Sequence, residues 1–435
     1  MSEEIKNVQE ELNDQMQIRR DKLAEYEADG IYPFGQRFVV KDHAKDIKDD
    51  FLNYEDQPTV IAGRLMTMRS HGKTAFANIR DLTGDIQVYF RKDVLGEDNY
   101  KYVKMLDIGD IVGIEGHVFR THSGEVTIKV NKLTLLSKAL RPLPEKWHGL
   151  KDTELRYRQR YVDLIVNPEV RDTFIKRSKI VAKIREYMMK DGFMEVETPM
   201  MHPIPGGAAA RPFITHHNAL DIDIYMRIAP ELYLKRLIVG GMERVFEMNR
   251  CFRNEGIDNR HNPEFTTIES YQAYGDVEDA IRLTENLVSY CAQEVLGTQE
   301  ITYQGTEINL TPPWNRITMA EGVKKYTGED FDAVTTVEEA RAIADRLNVE
   351  YTNNDGIGKI LNACFEDYVE ENLIQPTIVY GHPKEISPLA KASRENPLAT
   401  ERFEAFIYGR ELANGFSELN DPIDQKQRFL DQLKE

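Results

Sequence analysis

At 435 residues the chain is long enough for two or three domains with substantial cores, and 30% charged and 41% hydrophobic residues are ordinary for a globular protein. No apolar run approaches a membrane span, the acidic Met1-Ser-Glu-Glu start is no signal peptide, and three isolated cysteines (Cys251, Cys291, Cys364) form no CxxC pair, so a cytoplasmic protein with reduced thiols and no zinc site is expected. The net charge of −17 argues against a nucleic-acid partner until it is divided: residues 59–140 hold 12 Lys/Arg against 9 Asp/Glu, a mildly basic module compatible with RNA on an acidic body.

Residues 1–58 read as a helical extension, with a helix over Glu4–Ala28 and a turn at Gly30 and Pro33. Arg19, Arg20 and Lys22 cluster there, and either a solvated helix face or an RNA-backbone contact fits them. From Thr59 the texture changes to short alternating strands: Val60–Met68, Thr74–Asp81, Asp85–Phe90, Ile111–Phe119 and Val126–Leu136. Glycines 63, 72, 84, 109, 113, 116 and 124 mark turns or bulges between them. Five short strands within residues 59–140 suit a small closed barrel of the oligonucleotide-binding (OB) kind.

Residues 141–160, with Pro142 and Pro144, read as a linker, and 161–435 as a mixed helix–strand domain. Asn167-Pro168 supplies an N-cap and a first-turn proline for a helix running through Phe174, Val181, Ile184 and Met188 to Gly192. Phe193–Thr198 follows as a strand stopped by Pro199. Then comes the most specific string in the chain, Phe252-Arg-Asn-Glu-Gly-Ile-Asp-Asn-Arg-His-Asn-Pro-Glu-Phe265, continued by Thr267, Glu269 and Tyr271. Side chains alternate along a strand, so Arg253 and Glu255, and separately Phe265, Thr267, Glu269 and Tyr271, are expected to line one surface of a hairpin. Near the C-terminus Asn414, Phe416 and Glu418 alternate in the same way.

The Phe-Arg-Asn-Glu…Arg-His…Pro-Glu-Phe string resembles the second signature motif of class II aminoacyl-tRNA synthetases, which binds ATP, and the preceding helix–strand–proline resembles the first, which builds a dimer interface. The implied fold is α+β: an N-terminal OB-fold barrel plus a class II antiparallel sheet flanked by helices. The amino-acid pocket is acidic, with Glu231, Glu269 and Glu418 beside Tyr271. A buried cation must be paired, so these groups suit a lysine ammonium better than an aspartate or asparagine side chain. The resemblance thus narrows to bacterial-type class II lysyl-tRNA synthetases, over essentially the whole chain.

That resemblance implies ATP-driven formation of lysyl-adenylate, then transfer to tRNA(Lys) by a homodimer. It assigns Gly207 and Glu231 to the α-amino group, and Glu269, Tyr271, Asn414 and Glu418 to the lysine side chain. Arg253 would touch both the substrate carboxylate and the α-phosphate, and would be the catalytic residue. Arg260 and His261 would reach the outer phosphates, Glu255 the adenine amino group, and Phe265 the ring. Glu404 and Glu411 would hold Mg2+, Glu411 also serving ATP: a hairpin turning at Tyr408-Gly409 sets residue 406 opposite Glu411 and makes Glu404 its same-face diagonal neighbour. In the barrel, Phe76 and Gln87, with Arg69 nearby, would hold anticodon bases.

The third class II motif, a glycine-rich strand–helix carrying an ATP-binding arginine, is not found before the chain stops at Glu435, so the fold is read as C-terminally incomplete and this chain as unstable or poorly active alone. Alternative readings are a catalytically inactive tRNA-binding relative and an aspartyl- or asparaginyl-type synthetase. A paralogue that modifies a translation factor lacks the N-terminal barrel, and residues 59–137 count against it.

Overall fold

A computed structural model describes residues 14–144, 150–258 and 261–432. The chain divides into two units, Met1–Asp172 and Thr173–Glu435.

In the first unit, helix α1 (Asp14–Ala28) precedes five strands: β1 (Pro58–His71), β2 (Thr74–Arg80), β3 (Asp85–Arg91), β4 (Ile111–Arg120) and β5 (Val126–Ser137). They close in the order β1-β2-β3-β5-β4, with β1 long enough to pair with both β2 and β4. The period-2 pattern sends Ala75, Ala77 and Ile79 of β2 and Ile86, Val88 and Phe90 of β3 into the barrel, all at most 2% exposed. Each buried Val, Ile or Phe side chain among them contributes about 1.5–3 kcal/mol.

Not every strand glycine is a turn. At Gly63, inside β1, an added Cβ would lie 2.5 Å from the Arg80 carbonyl oxygen, so glycine there permits close strand approach. The Arg19–Lys22 cluster is also corrected in part. Arg19 is buried and donates to the carbonyls of Ile108, Ala139 and Arg141, while Lys22 pairs with Asp107 at 2.7 Å. Both anchor α1 to the barrel's own unit, and only Arg20 of the three is exposed. The expected helix start at Glu4 lies outside the described residues.

In the second unit, helix α2 (Pro168–Lys190), which begins just before the unit boundary, leads to a two-residue strand, β6 (Met194–Glu195). Helix α3 (Glu231–Val239) precedes the hairpin β7 (Arg244–Phe252) and β8 (Glu264–Gln272), and helix α4 (Val277–Leu296) follows it. β7 pairs antiparallel with β8 and parallel with β6, giving a three-stranded sheet. Phe246 and Ile268 on one sheet face pack with Ile184 and Met188 of α2 and Leu283 and Leu287 of α4. The opposite face therefore carries the polar partners of the alternation. The expected strand over Phe193–Thr198 pairs regularly only at Met194 and Glu195, extended by the bond from the Val196 amide to the Phe246 carbonyl.

A separate four-stranded sheet holds β9 (Asn315–Thr318), β10 (Thr377–Tyr380), β11 (Arg402–Phe406) and β12 (Glu411–Phe416) in sequence order. Its first two strands run parallel and the rest antiparallel. No helix among the described residues is long and apolar enough to cross a membrane.

Candidate active site and nucleic-acid interface

The hairpin register sets Glu247 opposite Glu269, Asn249 opposite Thr267, Cys251 opposite Phe265 and Val245 opposite Tyr271. Directly paired residues share a face, so Phe265, Thr267, Glu269 and Tyr271 form the expected row. Arg253 and Glu255 do not sit on the strand. β7 ends at Phe252; the Arg253 amide still reaches the Pro263 carbonyl, but the Asn254 amide bonds Arg211 instead, peeling the chain away from β8.

One cleft is lined by Gly207, Glu231, Lys235, Arg253, Glu269, Tyr271, Glu411, Asn414, Phe416 and Glu418. It thus joins a guanidinium and an ammonium to four carboxylates and a phenol. Gly207 has φ +88°, and a Cβ there would stand 3.1 Å from that of Glu231 and 3.3 Å from that of Ala229. Only glycine brings its backbone so close to Glu231 without strain. Tyr271 donates to Glu269 at 3.1 Å. Burial, reinforced by the charge of Glu231, pushes the Glu269 carboxyl up to about 7. Burial likewise raises Glu418.

Arg253 places its guanidinium 5.1 Å from the Phe265 ring centroid, and its buried Nε has no hydrogen-bond partner. Arg253 thus lies against one face of Phe265. Glu255 is exposed and accepts from the Arg211 amide at 3.3 Å. His261 is exposed and tied to Asp258 through both its ring Nδ1 (2.7 Å) and its amide (2.6 Å). Arg260 lies outside the described residues.

Residue 406 does face Glu411, but an irregularity after Ala405 sets Asn414 directly opposite Glu404. Asn414 is engaged there, accepting from Arg402 at 2.9 Å, and Arg402 also donates to Glu404 at 2.5 Å. Burial pushes Glu404 up to about 7, with Glu411 and Glu370 adding repulsion that Arg402 only partly offsets. Crowded carboxylates of this kind fit a hard divalent cation. No group of three or more His, Cys, Asp or Glu among the described residues forms a metal site. Cys251, Cys291 and Cys364 are unpaired and buried, and burial pushes each up to about 11.

Several residues escaped the sequence reading. Arg227 is wholly buried, bonds Glu247 at 2.6 Å and the Arg250 carbonyl at 2.8 Å, and so braces β7 just before Arg253. Lys235 bonds Glu231 and Glu418. Arg402 joins Asn414 to Glu404.

On the barrel, strand registers align Arg69, Phe76, Tyr89, Lys129 and His117 in one row across five strands. Phe76 stacks on Tyr89 at 4.4 Å, and Phe119 tilts against Tyr89 at 6.2 Å. Gln87 shares the outward face, its side-chain oxygen accepting from Thr127 at 2.8 Å. Tyr89 and Phe119 were missed, although Tyr89 lies two residues from Gln87 and shares its face.

A closed five-stranded OB barrel followed by an α+β unit built around an arginine-bearing hairpin is the architecture of a class II aminoacyl-tRNA synthetase. The family of OB-fold nucleic acid binding domains matches residues 59–136, and that of tRNA synthetases class II (D, K and N) matches residues 152–435. The chain is 58% identical over 435 residues to the lysine–tRNA ligase of Thermoanaerobacter pseudethanolicus, covering all of this chain and 87% of the relative. To that of Carboxydothermus hydrogenoformans it is 59% identical over 425 residues, 98% of this chain and 87% of the relative. To that of Bacillus subtilis it is 56% identical over 442 aligned positions, all of this chain and 88% of the relative. The chain belongs to the lysine–tRNA ligase family.

Proposed function

We propose that this chain activates L-lysine with ATP and transfers it to tRNA(Lys), using the residues gathered in the cleft. The observation that carries the reading is the cleft's composition: Arg253 shares it with Glu231, Glu269 and Glu418. Among aspartate, lysine and asparagine, the amino acids the matching family spans, only lysine brings a second cation for those carboxylates.

In the first step a lysine carboxylate oxygen attacks the α-phosphorus of ATP. The bond from that phosphorus to the bridging oxygen breaks, and pyrophosphate leaves with the electron pair. The nucleophile is already ionised, so no general base is needed, and catalysis rests on in-line placement and charge neutralisation. Arg253 supplies both, since a guanidinium fork bridges two oxyanions. Gly207 and Glu231 hold the α-ammonium, while Glu269, Tyr271 and Glu418 hold the ε-ammonium. Asn414, whose side-chain oxygen already accepts from Arg402, would hold the lysine side chain beside them. Glu255, Arg260, His261 and Phe265 serve ATP. Glu404 and Glu411 would hold Mg2+, which neutralises phosphate charge when bound. Homodimerisation and a cytoplasmic location belong to the same reading.

ATP–pyrophosphate exchange driven by single amino acids tests this: lysine should support it selectively, and equal or better support by aspartate or asparagine would refute the reading. A pH dependence follows from Glu269. Its carboxyl is raised on folding, so its contribution to the stability of the free protein is present below about 4.5 and lost as pH rises through about 7. Lysine needs the carboxylate form. The KM for lysine is therefore expected to fall as pH rises from 6 to 8, with proton release on lysine binding below 7, measurable by calorimetry in buffers of different ionisation enthalpy. The barrel face is proposed as the anticodon reader, with Arg69, Phe76 and Gln87 contacting bases. Stacking of one base is worth about 1–3 kcal/mol, so Phe76→Ala should raise the KM for tRNA roughly ten- to a hundredfold. Pyrophosphate exchange without tRNA should be unchanged.

A further inference from the structure

An ammonium already sits among the carboxylates of the cleft. Lys235, on α3, reaches Glu231 one turn back at 2.6 Å and Glu418, beyond β12, at 2.8 Å. Its Nζ lies 5.7 Å from the centre of the Phe416 ring. An ordinary i,i+4 pair on a solvated helix face is worth only a few tenths of a kcal/mol. Lys235 differs because its side chain is largely covered and its second partner comes from another element, so it cross-links two carboxylates that are distant in sequence. Burial alone would lower this ammonium, yet Glu231 and Glu418 hold it above its ordinary value.

The other titratable groups facing this cluster are Glu269 and Tyr271 on β8, already joined to each other, and the Arg253 guanidinium, whose charge acts on Glu269. With Glu269 ionised and Arg253 left for the substrate's own carboxylate, three carboxylates less one ammonium leave two negative charges. A diamino acid brings two ammonium groups; a monoamino acid would leave a buried carboxylate unmatched, which is costly.

We propose that Lys235 is a specificity-determining positioning residue, which braces Glu231 against Glu418 and sets the pocket's charge to match the two ammonium groups of lysine. This rests on the reading of the cleft as the lysine site. Lys235 does not touch the reacting atoms; it fixes the spacing of the carboxylates that receive the α- and ε-ammonium groups. It also keeps the empty pocket from holding three uncompensated carboxylates.

The test uses the full chain in lysine-dependent pyrophosphate exchange, with Lys235→Met, Lys235→Gln and Lys235→Arg beside the unchanged protein. The neutral variants should raise the KM for lysine by at least about tenfold. They should leave kcat and the KM for ATP within about threefold and shift the pH dependence of the lysine KM upward, because an unmatched carboxylate takes up a proton. Lys235→Arg should restore most of the affinity and the original pH dependence. An unchanged or lowered lysine KM, a superimposable pH profile, or a parallel loss of ATP affinity would overturn the proposal. If the neutral variants do not fold, Lys235→Arg carries the test, and a shifted pH profile in that variant counts against the idea. Absence of lysine binding to the unchanged protein by calorimetry, together with absence of lysine-dependent exchange, would instead sink the assignment of the cleft itself.

Discussion

Replacing Arg253 with alanine is expected to lower kcat/KM in lysine-dependent pyrophosphate exchange by about three orders of magnitude. Preorganised cations at a transferring phosphoryl group supply effects of that size, because they act where charge develops and where water is excluded. The geometry supports the number in two ways. The guanidinium is held over Phe265 and its Nε is buried without a partner, so a donor is in place for an oxyanion at no reorganisation cost. Arg253→Lys should recover little, since a single ammonium cannot bridge two oxyanions with fixed geometry. The loss should fall on kcat more than on the KM for lysine, whose ammonium contacts lie elsewhere in the cleft. A variant that keeps kcat within tenfold would show that another cation carries the step.

A second large effect is expected in stability rather than turnover. Arg227 and Glu247 are wholly buried and joined at 2.6 Å, with Thr198 donating to the second Glu247 oxygen. Removing one member leaves the other as an unpaired buried charge, which costs about 3–5 kcal/mol. Arg227→Met should therefore lower the denaturant midpoint of unfolding sharply. The double variant Arg227→Met, Glu247→Leu should recover much of that loss, because the desolvation cost disappears along with the attraction. If single and double variants unfold together, the pair is not the source of the stability. Because Arg227 also bonds the Arg250 carbonyl, the single variant should further loosen the end of β7 that presents Arg253.

Features governed by period-2 alternation were legible before any coordinates. The five barrel strands and the Phe265–Tyr271 row follow from it, since a strand with one buried face admits no other register. The unlike residues of the Phe252–Phe265 string carried the family resemblance, and the relatives bear it out. Long-range side-chain partnerships were not legible. Lys235 beside Glu231 reads as an ordinary helical ion pair, because nothing local announces Glu418 as a second partner. Arg19 and Lys22 read as a basic patch until folding brings the carbonyls of Ile108 and Ala139 and the Asp107 carboxylate to them. The irregularity after Ala405 decides that Asn414, not Ala413, faces Glu404, and such a bulge has no dependable signature in a single sequence. Arg253 and Glu255 missed their expected strand because the chain exchanged one backbone partner, Pro263, for another, Arg211.

The ladder Arg69, Phe76, Tyr89, Lys129 and His117 draws one residue from each of five strands. No contiguous peptide excised from this chain could reproduce it; its integrity is a property of hydrogen-bond alignment. Adding one residue inside β2 between Phe76 and Ala77 would break the parity of its alternation, so that either Phe76 or the buried Ala77–Ile79 face must turn the wrong way. Such an insertion should abolish RNA capture and spare amino-acid activation, a separation that no side-chain replacement in the catalytic cleft could produce.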